Sequence, residues 1–267
     1  MAVYTDMADE LYQKPKGEIP NGVKRQTQQM GDVTIHRVQI TTSGLERPAG
    51  NYVTIQLPSL AVLDDKKECY VDVIGRELER LLPPAGSVLV VGVGNRRITA
   101  DALGPRVAGN VLVTRGLAQT EVTAALGLRE VASISPGASG ITGIPLVQLL
   151  AGMVRTLKPD VILCVDSLCT SQPQRLGSTV QISDTGLHPA LPKSGRCITR
   201  AMLGVPVVAM GIPTMMETAP QPQACPLIVV PKELDCMVRK GSNLLGLAIN
   251  RALQPKLTVQ ELRYLAN

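Results

Sequence analysis

The chain has 267 residues, of which 45% are hydrophobic and 18% are charged, and its formal net charge at pH 7 is +5. A chain of this length can bury a sizeable core as one large domain or two small ones. Aromatic residues make up only 2% of the sequence, with no Phe and no Trp. Because side chains that stack on bases are nearly absent, the composition argues against direct binding of single-stranded nucleic acid.

The cysteines and the hydropathy pattern bear on the surroundings of the chain. The six cysteines form no CxxC pair, so the pattern favours neither a zinc ribbon nor a thioredoxin-like redox motif. No signal peptide opens the sequence, and no apolar run reaches the roughly 18 residues of a membrane span. The sequence therefore predicts a protein of the reducing cytoplasm without a membrane partner.

The first predicted elements lie ahead of the main sheet. Residues 1–30 are polar and irregular and are predicted to form a flexible arm. Residues 33–40 alternate in polarity, and residues 52–57 form a second strand after a turn-rich link, which together predict a β-hairpin. Residues 64–82 place apolar side chains three and four positions apart and are followed by two prolines, a pattern that predicts an amphipathic helix.

From residue 88 onward, predicted strands alternate with predicted helices. The strands span residues 88–93, 130–135, 161–165, 179–183, 205–210 and 227–230, and the helices span residues 102–114, 145–157 and 232–253. A capping-box spacing from Thr258 to Glu261 predicts a short terminal helix. The alternation predicts an α/β fold in which a mostly parallel sheet is covered by helices on both faces. The predicted organisation is the arm 1–30, one domain over residues 31–254 and a tail at 255–267.

Short polar residues follow the ends of the apolar strands. Asp101 comes after the first strand of this series, and Asp166 directly follows the third. Asn95, Ser183 and Asp184 also follow strands. In such sheets ligands bind beyond the carboxyl ends of the strands. Since each of these residue types is also common in turns and helix caps, the prediction of a site depends on their convergence.

The sequence does not favour several other kinds of site. Gly92 and Gly94 begin a dinucleotide-binding pattern, but Arg97 stands where its third glycine is required. P-loop, GxSxG and HExxH patterns are absent, and neither of the two histidines lies in a triad motif. When two carboxylates are a few Å apart, one keeps a proton near neutral pH. Asp101 and Asp166 could then hydrolyse an amide, because the charged carboxylate draws a proton from water while the neutral one protonates the leaving amine.

Six longer motifs occur in order along the chain. They are VVGVGNRRITADALGPRV, ASISPGASGITGI, ILCVDSL, TVQISDTGLHPA, LGVPVVAMGIPT and VVPKELD. With these motifs the chain resembles the germination proteases, from about Tyr4 to Ala252. The resemblance implies a three-layer α/β/α sandwich, shared with the endopeptidases that mature hydrogenases. It also implies an atypical aspartic endopeptidase without a cofactor, which degrades small acid-soluble spore proteins during germination in the spore core.

The same resemblance assigns residues to roles. By motif, the two essential aspartates of the family fall on Asp101 and Asp166. The residues expected to support the site or bind substrate are Asn95, Ser183, Asp184 and His188. The string YTDMADE resembles the segment at which the zymogen of the family cuts itself, which implies a cut between Asp6 and Met7.

Departures from the family pattern concern activation and assembly. Ala100 stands where the family usually has proline, and a long segment of the family is missing between Thr218 and Val230. The family forms tetramers, which implies a homo-oligomer, but the missing segment leaves open whether this chain forms one. These departures affect the expected substrate, activation and assembly more than the expected pair of acids.

Two alternative functions stay open from the sequence. The first is a metal-dependent peptidase of the hydrogenase-maturation type, in which Asp101, Asp166 and His188 hold a hard or borderline divalent ion. The second is a non-catalytic binding protein on the same scaffold.

Overall fold

A mixed sheet is the framework of the structure, a computed structural model that describes residues 5–12, 20–64, 67–117, 126–188, 197–217 and 227–266. Its strands are β1 (Val23–Met30), β2 (Val33–Ile40), β3 (Gly50–Gln56), β4 (Val88–Gly92), β5 (Val131–Ile134), β6 (Val161–Cys169), β7 (Thr179–Ser183), β8 (Val207–Glu217) and β9 (Ile228–Val229). They are ordered β1-β2-β3-β7-β8-β6-β4-β5, and β9 pairs with β8. Strands β5, β4, β6 and β8 run parallel, and the other neighbouring pairs are antiparallel.

Helices cover both faces of this sheet. They are α1 (Ala8–Tyr12), α2 (Glu68–Leu81), α3 (Leu103–Gly109), α4 (Ser139–Thr142), α5 (Leu146–Leu157), α6 (Arg200–Leu203), α7 (Leu234–Leu253) and α8 (Val259–Leu265), with short 3₁₀ helices η1 (Thr99–Asp101) and η2 (Pro173–Arg175). Helices α2, α3, α7 and α8 share one hydrophobic core with one face. Helices α5 and α6 share a second core with the opposite face. The predicted three-layer α/β/α arrangement is therefore confirmed.

Strand β6 shows how the sequence produces two cores. Successive side chains of a strand point to opposite faces of the sheet. Val161, Leu163 and Val165 enter the first core, and Ile162 and Cys164 enter the second. All five are fully buried. An uninterrupted apolar run is what a strand covered on both faces requires, so this strand was predictable from its sequence.

The parallel part of the sheet is smaller than predicted. In the described ranges it consists of β5, β4, β6 and β8, because β7 pairs antiparallel with β8 and joins the hairpin of β2 and β3 to the same sheet. The predicted hairpin is confirmed, but it extends the main sheet. Short apolar strands carry no signal for direction, and the connections that decide it are long-range.

Residues 23–30 were assigned to the arm by the sequence analysis, but they form strand β1. The strand pairs with β2 from Val23 opposite Ile40 to Met30 opposite Val33. Every residue of β1 after Val23 is exposed. Because an edge strand exposed on both faces needs no apolar alternation, its sequence carries no strand pattern. Its stability comes from the hydrogen bonds to β2.

The N-terminal segment also differs from the predicted flexible arm. Met7, Ala8 and Asp9 have no exposed surface. Helix α1 packs on a small third core under β1, β2 and β3, which includes Val23 and Tyr52. The described part of the segment is thus a packed element of the fold. No helix in the described ranges is long and apolar enough to cross a membrane.

The predicted terminal helix is confirmed as α8, within the stretch that the sequence analysis treated as a tail. The Glu261 N–H donates to Thr258 Oγ1 (3.2 Å), and the Thr258 N–H donates to Glu261 Oε2 (2.7 Å). This is a reciprocal capping box. Val259 is buried in the first core and Leu262 is also buried, so α8 packs on the domain.

Removing the cap should lower stability by a modest, measurable amount. We expect Thr258→Ala to reduce the free energy of unfolding by about 1 kcal/mol, because the first turn of α8 loses its side-chain acceptor. Urea unfolding measures this difference. Thr258→Ser keeps the hydroxyl and should stay close to the unmutated chain. Equal losses in both variants would contradict a capping role.

Candidate active site

Strand β4 ends beside the middle of β6, which continues to Cys169. Gly92 of β4 pairs with Val165 of β6, and Asp166 is the next residue of β6. Asp101 ends η1, which follows β4 and contacts both β6 and β8. Asp166, predicted to follow its strand, therefore lies inside β6, and Asp101 lies in the short helix that contacts this strand.

The loop after β4 holds Asp101 in place. The Asn95 N–H donates to the backbone oxygen of Asp101 (2.9 Å) and to its carboxylate Oδ2 (2.9 Å). Gly94 has a φ of +124°, and a Cβ there would lie 2.2 Å from the backbone oxygen of Asp101. Thr214 of β8 donates its hydroxyl to Ala100 O (2.6 Å). Asn95 therefore supports the site through its backbone.

Asp166 lies on the face of the sheet that carries the second core. It is 5% exposed, and its Oδ1 accepts the Ser167 N–H (2.8 Å). Its partner across the strand pair is Gly211 of β8, and Gly211 is also the partner of Gln181 of β7. Directly opposite residues point to the same face. The position between Asp166 and Gln181 is covered by the side chain of Leu168, whose Cγ would lie 2.8 Å from a Cβ at Gly211.

The N-terminal segment is bound next to this part of the sheet. The Asp6 N–H donates to Cys169 O (2.8 Å), and the Cys169 N–H donates to Asp6 Oδ2 (2.7 Å). Gln181 Nε2 donates to Asp6 O (2.7 Å), and Gln181 Oε1 accepts the Ala8 N–H (2.6 Å). The peptide group that joins Asp6 to Met7 is thus held across the sheet, between the end of β6 and the middle of β7.

Ser183 and His188 lie near Asp6. Both line a small cavity together with it. His188 Nε2 lies 3.0 Å from Thr185 O, and its Nδ1 lies 3.4 Å from Cys197 Sγ. The predicted supporting roles of Ser183 and His188 agree with this position but are not tested by it.

The carboxylate of Asp184 holds two strands together. Its carboxylate accepts the Asn51 N–H (2.8 Å) and the Asn51 side-chain amide (2.6 Å). Gly50, the first residue of β3, is positioned so closely that a Cβ would lie 2.7 Å from Asp184 Oδ1. Asp184 therefore joins the end of β7 to the beginning of β3.

The residues present do not fit the alternative metal centre. In the described part of the chain, no three His, Cys, Asp or Glu side chains lie close enough together to hold a metal ion. Asp101, Asp166 and His188 are therefore not arranged as a ligand set. His188 instead faces Thr185 and Cys197.

Burial sets the protonation of the neighbouring thiol. Burial raises the pKa of Cys169 to about 11, and the nearby Asp6 carboxylate adds to this effect. The thiol therefore stays protonated near neutral pH, in contrast to the thiolate that a cysteine nucleophile needs. Cys169 contributes to this region through its backbone.

The two histidines should make stability depend on pH. Burial lowers the pKa of His188 and of His36 from 6.5. A lowered histidine pKa stabilises the folded chain above the unfolded value, and this contribution is lost as pH falls through the folded pKa. We expect the free energy of unfolding to fall as pH drops below about 6.5, and less steeply in His188→Gln. Urea unfolding at several pH values measures the slope; identical slopes would contradict the assignment.

Three residues of this site were missed by the sequence analysis, namely Gln181, Cys169 and Gly211. Gln181 had a usable signal, because the polar Thr179, Gln181 and Ser183 alternate with Val180 and Ile182 in a buried strand. Polar residues on one face of such a strand indicate a polar partner. The other two had no signal, since their roles arise from backbone contacts with distant segments.

Comparison with known proteins identifies the family. A sequence model described as "Germination protease" matches residues 3–221. The chain belongs to the germination protease family. The germination protease of Caldanaerobacter subterraneus subsp. tengcongensis is 33% identical over 99% of this chain and 98% of its own length. That of Clostridium tetani is 30% identical over the whole of both chains. That of Priestia megaterium is 35% identical over 79% of this chain and 61% of its own.

One solved structure was also compared, the [NiFe] hydrogenase maturation protease HycI from Thermococcus kodakarensis KOD1. The two sequences are 21% identical, the superposition covers 66% of this chain and 98% of the HycI chain, and the TM-score is 0.41. At this score the likeness adds nothing to the assignment, which depends on the family match. As a germination protease, the chain is an endopeptidase that acts in spore germination.

Proposed function

We propose that this germination protease hydrolyses peptide bonds with Asp101 and Asp166 as its acid–base pair. We further propose that it cuts itself between Asp6 and Met7, and that small acid-soluble spore proteins are its substrates in the spore core. The observation that carries the proposal is the bound N-terminal segment. The peptide group after Asp6 is held by Gln181, and only Gly211 separates Gln181 from Asp166 in the sheet register.

The chemistry needs one charged and one protonated carboxyl group. The charged carboxylate takes a proton from water, and the water oxygen adds to the carbonyl carbon of Asp6. The second carboxyl group protonates the amide nitrogen of Met7 as the C–N bond breaks. Asp101 and Asp166 suit this pairing because neighbouring carboxyl groups resist double ionisation. No covalent intermediate with the enzyme is required.

The sequence around the proposed cut predicts which residues flank the cleaved bond in a substrate. An acidic residue precedes the proposed cut, and a large apolar residue and an alanine follow it. Met7 and Ala8 are fully buried, so these positions discriminate by size. We expect cuts in spore proteins where an acidic residue is followed by a large apolar residue and Ala.

Incubating the full chain with a purified small acid-soluble spore protein, with and without a chelator, tests the proposal. Mass spectrometry should show substrate fragments with the expected ends and a chain that has lost residues 1–6. Cleavage of other spore proteins but not of this one would contradict the substrate assignment. Loss of cleavage with chelator would instead favour the metal-dependent alternative. A chain that cuts no spore protein would support a binding role.

A further inference from the structure

The peptide group between Asp6 and Met7 has a defined partner at both of its polar atoms. Its carbonyl oxygen accepts a hydrogen bond from Gln181 Nε2 at 2.7 Å. Its N–H donates to Thr5 Oγ1 at 3.0 Å. The residue before it is fixed as well, because the Asp6 N–H donates to Cys169 O. The carbonyl that would be attacked therefore faces one side-chain donor, Gln181.

The orientation of the Gln181 amide follows from its two partners. A backbone N–H can only donate, so the atom that faces the Ala8 N–H must be the amide oxygen. A carbonyl oxygen can only accept, so the atom that faces Asp6 O must be the amide nitrogen. The same side chain thus contacts the main chain on both sides of Met7, and neither contact survives a flip of the amide.

Gln181 is fixed within the sheet and beside Asp166. It is a buried residue of β7 and pairs with Gly211, which pairs on its other side with Asp166. A Cβ at Gly211 would lie 2.2 Å from Asp166 O. The same Cβ would lie 2.8 Å from Leu168 Cγ, so the Leu168 side chain covers the sheet between Gln181 and Asp166.

The segment is anchored on the far side of the bond by charged contacts. Arg175 binds Asp9 through two hydrogen bonds of 2.9 and 2.6 Å, and all but 7% of Arg175 is buried. The Glu10 carboxylate accepts the Ser171 N–H at 3.0 Å and is also bonded by the Thr170 hydroxyl. These contacts fix α1, and with it the chain that follows Met7.

We propose that Gln181 is a catalytic residue that stabilises the oxyanion formed during peptide hydrolysis. This inference rests on the proposed cut between Asp6 and Met7. When the oxygen of water adds to the carbonyl carbon, the carbonyl oxygen becomes an anion, and Gln181 Nε2–H donates to it. The anion then reforms the C=O bond as the C–N bond breaks, and the amine of Met7 takes a proton from the protonated carboxyl group. A donor fixed in advance costs no reorganisation during the reaction.

The test compares Gln181→Met with a matched variant of the same strand. Thr179 lies two residues away on the same face, and its buried hydroxyl has no hydrogen-bond partner among the residues that the structure describes. Thr179→Val thus removes a polar group without removing a bond. The full chain and each variant are assayed for loss of residues 1–6 by intact mass. They are also assayed for turnover of a synthetic peptide with the sequence of residues 1–12.

We expect Gln181→Met to lower kcat on the peptide by about 10²-fold or more, with a much smaller change in KM. Thr179→Val should retain the rate of the unmutated chain. Unchanged kcat in Gln181→Met, or a rise in KM alone, would overturn the inference, since the residue would then only bind the segment. If Gln181→Met does not fold, judged by circular dichroism, Gln181→Glu replaces it, because it keeps the acceptor for Ala8 but has no donor.

Failure of the proposed function gives a different result. In that case Asp166→Asn retains cleavage, or the unmutated chain cuts neither itself nor the peptide. If Asp166→Asn is inactive and Gln181→Met is fully active, the acid pair stands and only the oxyanion role of Gln181 is wrong. The cleavage rates of Asp166→Asn and Gln181→Met therefore test the two proposals separately.

Discussion

Asp166→Asn is expected to reduce cleavage of a small acid-soluble spore protein by about 10³-fold or more. An asparagine has the shape of the aspartate but neither accepts nor supplies a proton at neutral pH, and general acid–base catalysis contributes about 10²–10⁴-fold. Asp101→Asn should have a loss of similar size. Because the two carboxyl groups act as one unit, the double variant should be little worse than either single variant.

Strand β6 offers a matched control for this prediction. Asp160 precedes the strand, at the end opposite Asp166, and its carboxylate accepts the Ser87 N–H (2.7 Å) and hydroxyl (3.0 Å). These hydrogen bonds lower its pKa, so it is charged but distant from the proposed site. Asp160→Asn should therefore cleave at the rate of the unmutated chain. Wild-type turnover by Asp166→Asn, or equal losses in the two variants, would remove Asp166 from the mechanism.

The parts of the fold that could be predicted are those whose signal is local. The uninterrupted apolar run of β6 predicted its burial on both faces, and the spacing from Thr258 to Glu261 predicted the cap of α8. Both were recognisable because one segment contains the whole pattern. The same holds for the contact of the segment that ends at Asp101 with the strand that contains Asp166, since parallel strands bring such segments to a common edge of the sheet.

The parts that could not be predicted depend on contacts between distant segments. Residues 23–30 form a strand although all but the first are exposed, because pairing with β2 replaces a hydrophobic face. The sequence of β7 gave no indication that this strand pairs antiparallel with its neighbours. The role of Gln181 depends on residues 6–8, some 175 positions away. Polar residues in a segment of this kind indicate an exposed arm unless their buried partners are known.

Gly104→Ala is expected to cause the largest loss of stability, about 3 kcal/mol or more. Gly104 lies in the first turn of α3, where the helix rests on β4 and β6. A Cβ there would lie 2.3 Å from both Val93 O and Val165 O. These oxygens are backbone atoms, and Val165 O accepts the Val93 N–H that joins the two strands. The helix must therefore move away from the sheet.

The same movement should also impair catalysis, because α3 follows directly on η1 and so on Asp101. Gly109→Ala is the matched control in the same helix, since nothing lies within 4 Å of the added Cβ. It should be neutral or stabilising by about 0.5 kcal/mol, because alanine favours helix over glycine. Urea unfolding and the cleavage rate are measured on both variants. If Gly104→Ala unfolds at the same denaturant concentration as Gly109→Ala, the close approach of α3 to Val93 and Val165 is wrong, and with it the placement of η1 against β6.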